Sequence, residues 1–311
     1  MGRRMQHVLE YLGYRGLEAL VYLLPWRWLD DVASGLAFLA YRVLKIRREV
    51  TLRNLQLAFP EKSIEEQARL AYACYRHFAL MALEFLKMGR LTFAELEAMV
   101  DLETPEMFSS YQQQGKGLIM VSGHFGNWEI AGAYFATRWP YHATVIQKRQ
   151  KNAWVDRHMA RLRRRWHMEI VYVRHAVRNC LNALEQKKLV GLLGDQDMGS
   201  RGVFVPFFGR LASTPPGAAL LHLKSKVPLT FAYALRIGPR RFRLGLIDLS
   251  LPKNERTGDL NADVEQITAR YNQVLEQFIR QYPEQYFWMH KRWKTLPPVA
   301  KVQPQNVMYE S

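Results

Sequence analysis

At 311 residues, 49% apolar and 23% charged, the chain can bury a sizeable core and is too apolar to remain disordered, which excludes a low-complexity or extended protein. Forty-four Lys and Arg against 28 Asp and Glu leave a formal net charge of +16, so an anionic partner is expected: nucleic acid, anionic lipid or an acidic carrier. Cys74 and Cys180 have no CxxC spacing and point to a reduced, cytoplasm-facing protein without a Cys-based metal site.

Residues 7–45 are rich in Leu, Tyr and Trp but carry Glu10, Arg15, Glu18, Arg27, Asp30 and Asp31. Uncharged runs such as Val32 to Tyr41 fall short of the about 18–20 apolar residues that cross a bilayer, and no small-residue cleavage site marks a secretory signal. The pattern predicts two amphipathic helices broken near Pro25. Arg3, Arg4, Arg15, Arg42, Lys45, Arg47 and Arg48 stand among these apolar residues, and Trp26 and Trp28 flank Arg27. Residues 1–48 therefore read as a helical region lying on or in the interface of an anionic membrane. The competing reading is two ordinary helices packed on a core.

From Ile46 to Met88 the apolar spacing stays helical, and Ser63 with Glu66 forms a capping-box signature. Beyond Gly115 short apolar or alternating runs appear: "GLIMVS", "HATVIQ", "EIVYV", "LVGLLGD", "PLTFAYAL" and "RFRLGLIDLS". Helical stretches separate several of them, which predicts an α/β domain over 49–296, a central sheet flanked by helices. "GVFVPFFGR" reads as a hydrophobic loop. A long amphipathic helix begins near Asn261 and stops at Pro283, and 297–311 reads as a loose tail.

The richest stretch for chemistry is "GLIMVSGHFGNWEI", 117–130. A buried strand ends at Ser122, Gly123 allows a tight turn, and a helix starts near Asn127. His124 then lies at a strand's carboxyl end, where open α/β sheets bind ligands. On one continuous helix two residues five apart would point ~140° apart, but with His124 in the turn and Glu129 in the first helical turn the carboxylate can reach an imidazole nitrogen. Such a pair is a general base. No GxSxG elbow supplies a nucleophile, so direct attack by a substrate hydroxyl is favoured over a covalent intermediate. By spacing alone, a capping histidine and a surface glutamate are the favoured reading.

Four blocks in order extend the pattern: "LRNLQLAFPEKSIEEQ" at 52–67, "GKGLIMVSGHFGNWE" at 115–129, "GDQDMGSRGVFVPFFGRLASTPPG" at 194–217 and "YPEQYFWMHKRWK" at 282–294. Together they resemble the lipid A biosynthesis late acyltransferases, the lauroyl and myristoyl transferases related to the glycerolipid acyltransferases that use His-x4-Asp. The resemblance implies a mixed central sheet of the glycerolipid acyltransferase kind. It also implies transfer of a fatty acyl group from acyl carrier protein or acyl-CoA to a hydroxyl of a lipid A precursor at the cytoplasmic face of the inner membrane, with no cofactor and no metal.

His124 would deprotonate the acceptor and Glu129 would orient His124. Backbone N–H groups at Gly126 and Asn127, or an arginine, would stabilise the oxyanion. Arg161 and Arg163 both fit the family's arginine in "KRQKNAWVDRHMARLRRRW", a basic stretch suited to phosphates and an acidic carrier. Asp195 would position the acceptor or an arginine. Phe204, Phe207 and Phe208 are candidates for an acyl groove. Trp288, His290, Arg292 and Trp293 would close the site, with Arg292 as a candidate phosphate contact. Two other readings stay open: an acyltransferase acting on another glycolipid such as a phosphatidylinositol mannoside, and a basic nucleic-acid-binding protein. The second lacks any recognisable nucleic-acid motif, so no nucleic-acid partner is expected.

Overall fold

The computed structural model describes residues 2–173 and 176–298. Apart from Pro297 and Pro298, the tail read from the sequence lies outside the described residues.

Helix α1 (Arg3–Leu23) ends before Pro25, a 3-10 turn (Trp26–Trp28) redirects the chain, and α2 (Leu29–Phe38) runs into a π turn (Leu39–Val43). The two helices broken near Pro25 thus form. Met5, Leu9, Leu12, Leu20 and Leu23 of α1 are exposed, as are Trp28, Phe38, Leu39 and Leu44. The opposite faces bury Val21, Leu29 and Ala33 against Leu80, Leu83 and Leu86. Among the described residues no helix is long and apolar enough to cross a membrane.

Helices α3 (Arg48–Ala58) and α4 (Ile64–Lys87) follow. Ser63 Oγ accepts from the Glu66 N–H at 3.2 Å and Glu66 accepts from the Ser63 N–H at 2.8 Å, the expected capping box. Helix α5 (Phe93–Ala98), strand β1 (Val100–Leu102) and α6 (Pro105–Gln113) lead into the alternating part of the chain. There β2 (Leu118–Ser122), α7 (Trp128–Arg138), β3 (Ala143–Gln147), α8 (Ala153–Arg165), β4 (Met168–Tyr172), α9 (Ala176–Glu185) and β5 (Leu189–Leu193) succeed one another. The remainder is β6 (Val203–Phe207), β7 (Arg210–Thr214), α10 (Gly217–Ser225), β8 (Leu229–Gly238), β9 (Arg241–Asp248) and α11 (Leu260–Gln281).

The sheet has the order β1-β9-β8-β2-β5-β3-β4. Strands β8, β2, β5, β3 and β4 are parallel, β9 runs antiparallel to β8, and β1 parallels β9. This is the central sheet flanked by helices that the alternation predicts, and it is mixed, as the resemblance implies. Strand β2 is buried throughout because helices cover both faces. Its alternate side chains separate two cores: Ile119 and Val121 face Phe231 and Leu275, whereas Leu118 and Met120 face Ile130 and Phe135.

One stretch differs from its reading. "GVFVPFFGR" is a hairpin, with β6 and β7 paired antiparallel around Phe208 and Gly209. Both turn residues have positive φ, 51° and 69°, as type I′ hairpin turns require.

Candidate active site

Strands β2 and β5 are parallel neighbours in a register that sets Ser122 beside Leu193. Two residues further along each strand, His124 and Asp195 leave the sheet at the same height. His124 Nδ1 lies 2.7 Å from Asp195 Oδ1. Asp195 is 2% exposed and His124 is half-buried. Burial pushes the Asp195 carboxyl up, but His124, which both attracts it and hydrogen-bonds to it, and the Arg292 charge leave it below the usual carboxylate range. Asp195 is therefore the ionised acceptor and Nδ1 the donor, so the tautomer of the neutral imidazole that this pairing selects has its lone pair on Nε2. Trp128 packs edge-on at 5.0 Å from the imidazole, and the Phe287 N–H donates to the His124 carbonyl at 2.9 Å.

The turn after His124 is fixed from three sides. Gly126 has φ +60°, and a Cβ there would stand 2.1 Å from the Ala234 carbonyl oxygen, so the position admits only glycine without rearrangement. Gly123, read as the freely turning residue, is instead small because Leu275 of α11 would lie 2.9 Å from its Cβ. Burial pushes the His77 imidazole of α4 down to about 3, so this neutral ring donates from Nε2 to the Gly126 carbonyl at 3.0 Å.

Glu129 does not reach His124. It occupies the first turn of α7 facing α8, where Arg163 clamps it: Nε to Oε2 at 3.0 Å and Nη2 to Oε1 at 2.5 Å. Arg163 Nη1 also donates to Gln147 Oε1. Burial alone would pull the guanidinium down, and the facing carboxylate raises it above its ordinary value. Of the two candidate arginines, Arg163 enters the site. Arg161, two positions away and so ~200° around the helix, is exposed.

Several other expectations need correction. The Gly126 and Asn127 N–H groups cannot serve an oxyanion, because they already donate to the Gln285 and Ala234 carbonyls at 2.9 and 2.8 Å. The Asn127 side chain caps α7 by accepting from the Ile130 N–H, and donates to Glu84 at 2.8 Å, so this buried residue is committed to holding the turn. Arg292 is buried and donates to the Ser213 carbonyl and Thr214 Oγ1, both at 2.7 Å, beneath the hairpin rather than toward a ligand. Trp288 is fully buried in the same closing segment. Phe207 and Phe208 pack in the core with Tyr286 and Trp288, and Phe204 does not line the cavity described next.

That cavity opens beside His124 on the opposite face of the sheet, between the strands and α7 with α8. Its volume is about 390 Å³, within the ordinary range of ligand pockets. His124, Glu129, Arg163, Gln147 and Lys148 are among its polar lining residues, while Met120, Phe135, Ala143, Met168, Leu189 and Ala232 are among its apolar ones. The sequence hid this because its walls are side chains from seven separate elements.

The site thus joins an oriented imidazole, a buried ion pair and a largely apolar cavity. It can take a proton from a hydroxyl at Nε2 and hold a hydrocarbon chain nearby, which is the equipment of an α/β enzyme handling acyl groups. A family model described as bacterial lipid A biosynthesis acyltransferase matches residues 3–295. The lipid A biosynthesis palmitoleoyltransferase of Escherichia coli (strain K12) is 28% identical over 306 residues, 95% of this chain and 95% of the relative. The lauroyltransferase of the same strain is 29% identical over 297 residues, covering 93% and 92%. A phosphatidylinositol mannoside acyltransferase of Mycolicibacterium smegmatis is 23% identical over 225 residues, covering 70% and 72%. The chain belongs to the bacterial lipid A biosynthesis acyltransferase family, and it is an acyltransferase.

Proposed function

We propose that the enzyme moves a fatty acyl group from a thioester donor, acyl carrier protein or acyl-CoA, to a hydroxyl of a lipid A precursor at the cytoplasmic face of the inner membrane. The observation that carries this reading is the His124–Asp195 pair at the mouth of the apolar cavity. The acceptor hydroxyl oxygen attacks the thioester carbonyl carbon while its proton passes to His124 Nε2, and Asp195 stabilises the imidazolium that forms. The tetrahedral intermediate then collapses, the C–S bond breaks, and the departing thiolate takes the proton back from Nε2.

Arg163 is a buried cation that lines the cavity together with His124. Its guanidinium has five N–H groups and spends three on Glu129 and Gln147, which leaves two for the oxyanion or a substrate phosphate. Glu129 acts in this reading by aiming Arg163. The exposed arginines of α8, with Lys148, Arg149 and Lys151, supply the field for a phosphorylated or acidic substrate. The exposed apolar side chains of α1 and the segment after it rest in the lipid interface, which brings the cavity mouth to a membrane-embedded acceptor.

The apolar cavity receives the acyl chain in this reading. Gly132 of α7 lines it, and a Cβ there would sit 3.0 Å from Met168 Sδ. Gly132→Leu is expected to shorten the accepted chain: kcat/KM for the longest donors should fall roughly 10–200-fold, with short donors little affected. A series of acyl-CoA lengths checks this.

The whole reading is tested by mass spectrometry of lipid A from cells lacking and then regaining the chain. The expected result is loss and recovery of the mass of one secondary acyl chain. An unchanged lipid A with an altered mannoside lipid would assign the acceptor elsewhere.

A further inference from the structure

Gln196 follows Asp195 beyond β5 and has no part in the mechanism above. Its amide nitrogen lies 3.3 Å from His124 Nε2, the nitrogen that must accept the substrate proton. Because Nδ1 donates its hydrogen bond to Asp195, the neutral imidazole has its lone pair on Nε2 and the carboxamide is the donor. The His124 side chain is 22% exposed even with Gln196 beside it, so solvent lies next to the imidazole and would reach Nε2 if nothing occupied that nitrogen. A water oxygen attacking the thioester carbon, with its proton passing to Nε2 and the thiolate leaving with that proton, would hydrolyse the donor without product.

We propose that Gln196 guards the base: its carboxamide occupies Nε2 in the acceptor-free enzyme, favours the neutral imidazole, keeps water from it, and gives way to the acceptor hydroxyl. An amide suits this task because it donates without carrying charge, so displacing it leaves no desolvated ion behind. The inference rests on His124 being the base of the proposed acyl transfer.

Other groups around the imidazole are unaltered by substitution at 196. Asp195 contacts Nδ1, with Arg292 behind it. His290, pushed below its ordinary value by burial, accepts from the Asp197 N–H at 3.1 Å. The Glu129–Arg163 pair and Lys148 line the cavity, and the Trp128 and Phe287 rings pack against the imidazole.

The test uses the full-length enzyme in detergent micelles with lauroyl-CoA, with and without purified lipid A precursor, following thiol release and acylated product. In Gln196→Ala the ratio of hydrolysis to transfer should rise roughly threefold to tenfold, the worth of one hydrogen bond. The acid limb of its kcat/KM profile should move about half to one pH unit higher, because a donor to the neutral base has been removed. Gln196→Glu, nearly the same shape, should trap the imidazolium and regain activity only at higher pH. An unchanged ratio and an unmoved acid limb in the alanine variant would overturn the proposal. If that variant does not fold, an unmoved profile in Gln196→Glu overturns it. His124→Ala run alongside separates the two levels: if it retains transfer, the base assignment fails, whereas its inactivity beside an unaffected Gln196→Ala refutes the guarding role alone.

Discussion

Replacing His124 by alanine is expected to lower kcat for acyl transfer by about 10³–10⁴, while the protein still folds and still binds membrane. The fold should survive because His124 is half-buried and its backbone contact, the Phe287 N–H on its carbonyl, does not depend on the side chain. Donor binding should survive because the apolar wall of the cavity, which receives the acyl chain in the proposed reading, is made by other residues. The loss therefore belongs in kcat rather than KM. Steady-state kinetics on purified enzyme, beside thermal melting and vesicle flotation, separates these quantities.

The second large effect concerns Glu129 and Arg163. Their side chains are 9% and 14% exposed, so Glu129→Ala strands a mostly buried guanidinium. Breaking such a pair costs about 3–5 kcal/mol, which should lower Tm by roughly 6–10 °C for a domain of this size. Activity should fall as well, since an unclamped Arg163 no longer points into the cavity. A Glu129→Gln, Arg163→Met double variant distinguishes the two consequences. Its stability should recover much of the loss, because well-packed apolar replacements of buried pairs are often tolerated, but its turnover should stay low. Recovery of both would mean that the pair serves the fold alone. Arg163→Lys should not rescue activity, because an ammonium cannot hold Glu129 with a bidentate fork and reach Gln147 as well.

Much of this architecture was legible from periodicity. The sheet strands between Leu118 and Asp248 fall on the runs from "GLIMVS" to "RFRLGLIDLS", and the Ser63 capping box forms as read. The short β1 and the β6–β7 hairpin escaped because three residues carry no period and because "VFVPFFGR" hides its turn behind two phenylalanines.

At the site, His124, Arg163 and Asp195 all stand out in the sequence, but the partner that sequence offers His124 is its near neighbour Glu129. Glu129 is five residues from His124 and bonds elsewhere, whereas Asp195 is 71 residues away and bonds directly. The missing fact was strand order. Once β2 and β5 are neighbours in register, "SGH" and "LGD" end together, and the partner follows. Each strand end had the signal, a glycine followed by a titratable residue, but only the sheet joins them.

The most direct test of the His124–Asp195 assignment is kcat for acyl transfer by purified Asp195→Asn enzyme. An asparagine there preserves shape but can no longer stabilise the imidazolium, nor favour the tautomer that leaves Nε2 free. The predicted result is a fall of about 10⁴ in kcat at near-normal KM. Turnover within a few-fold of the unmodified enzyme would contradict the account and return the task of orienting His124 to another group.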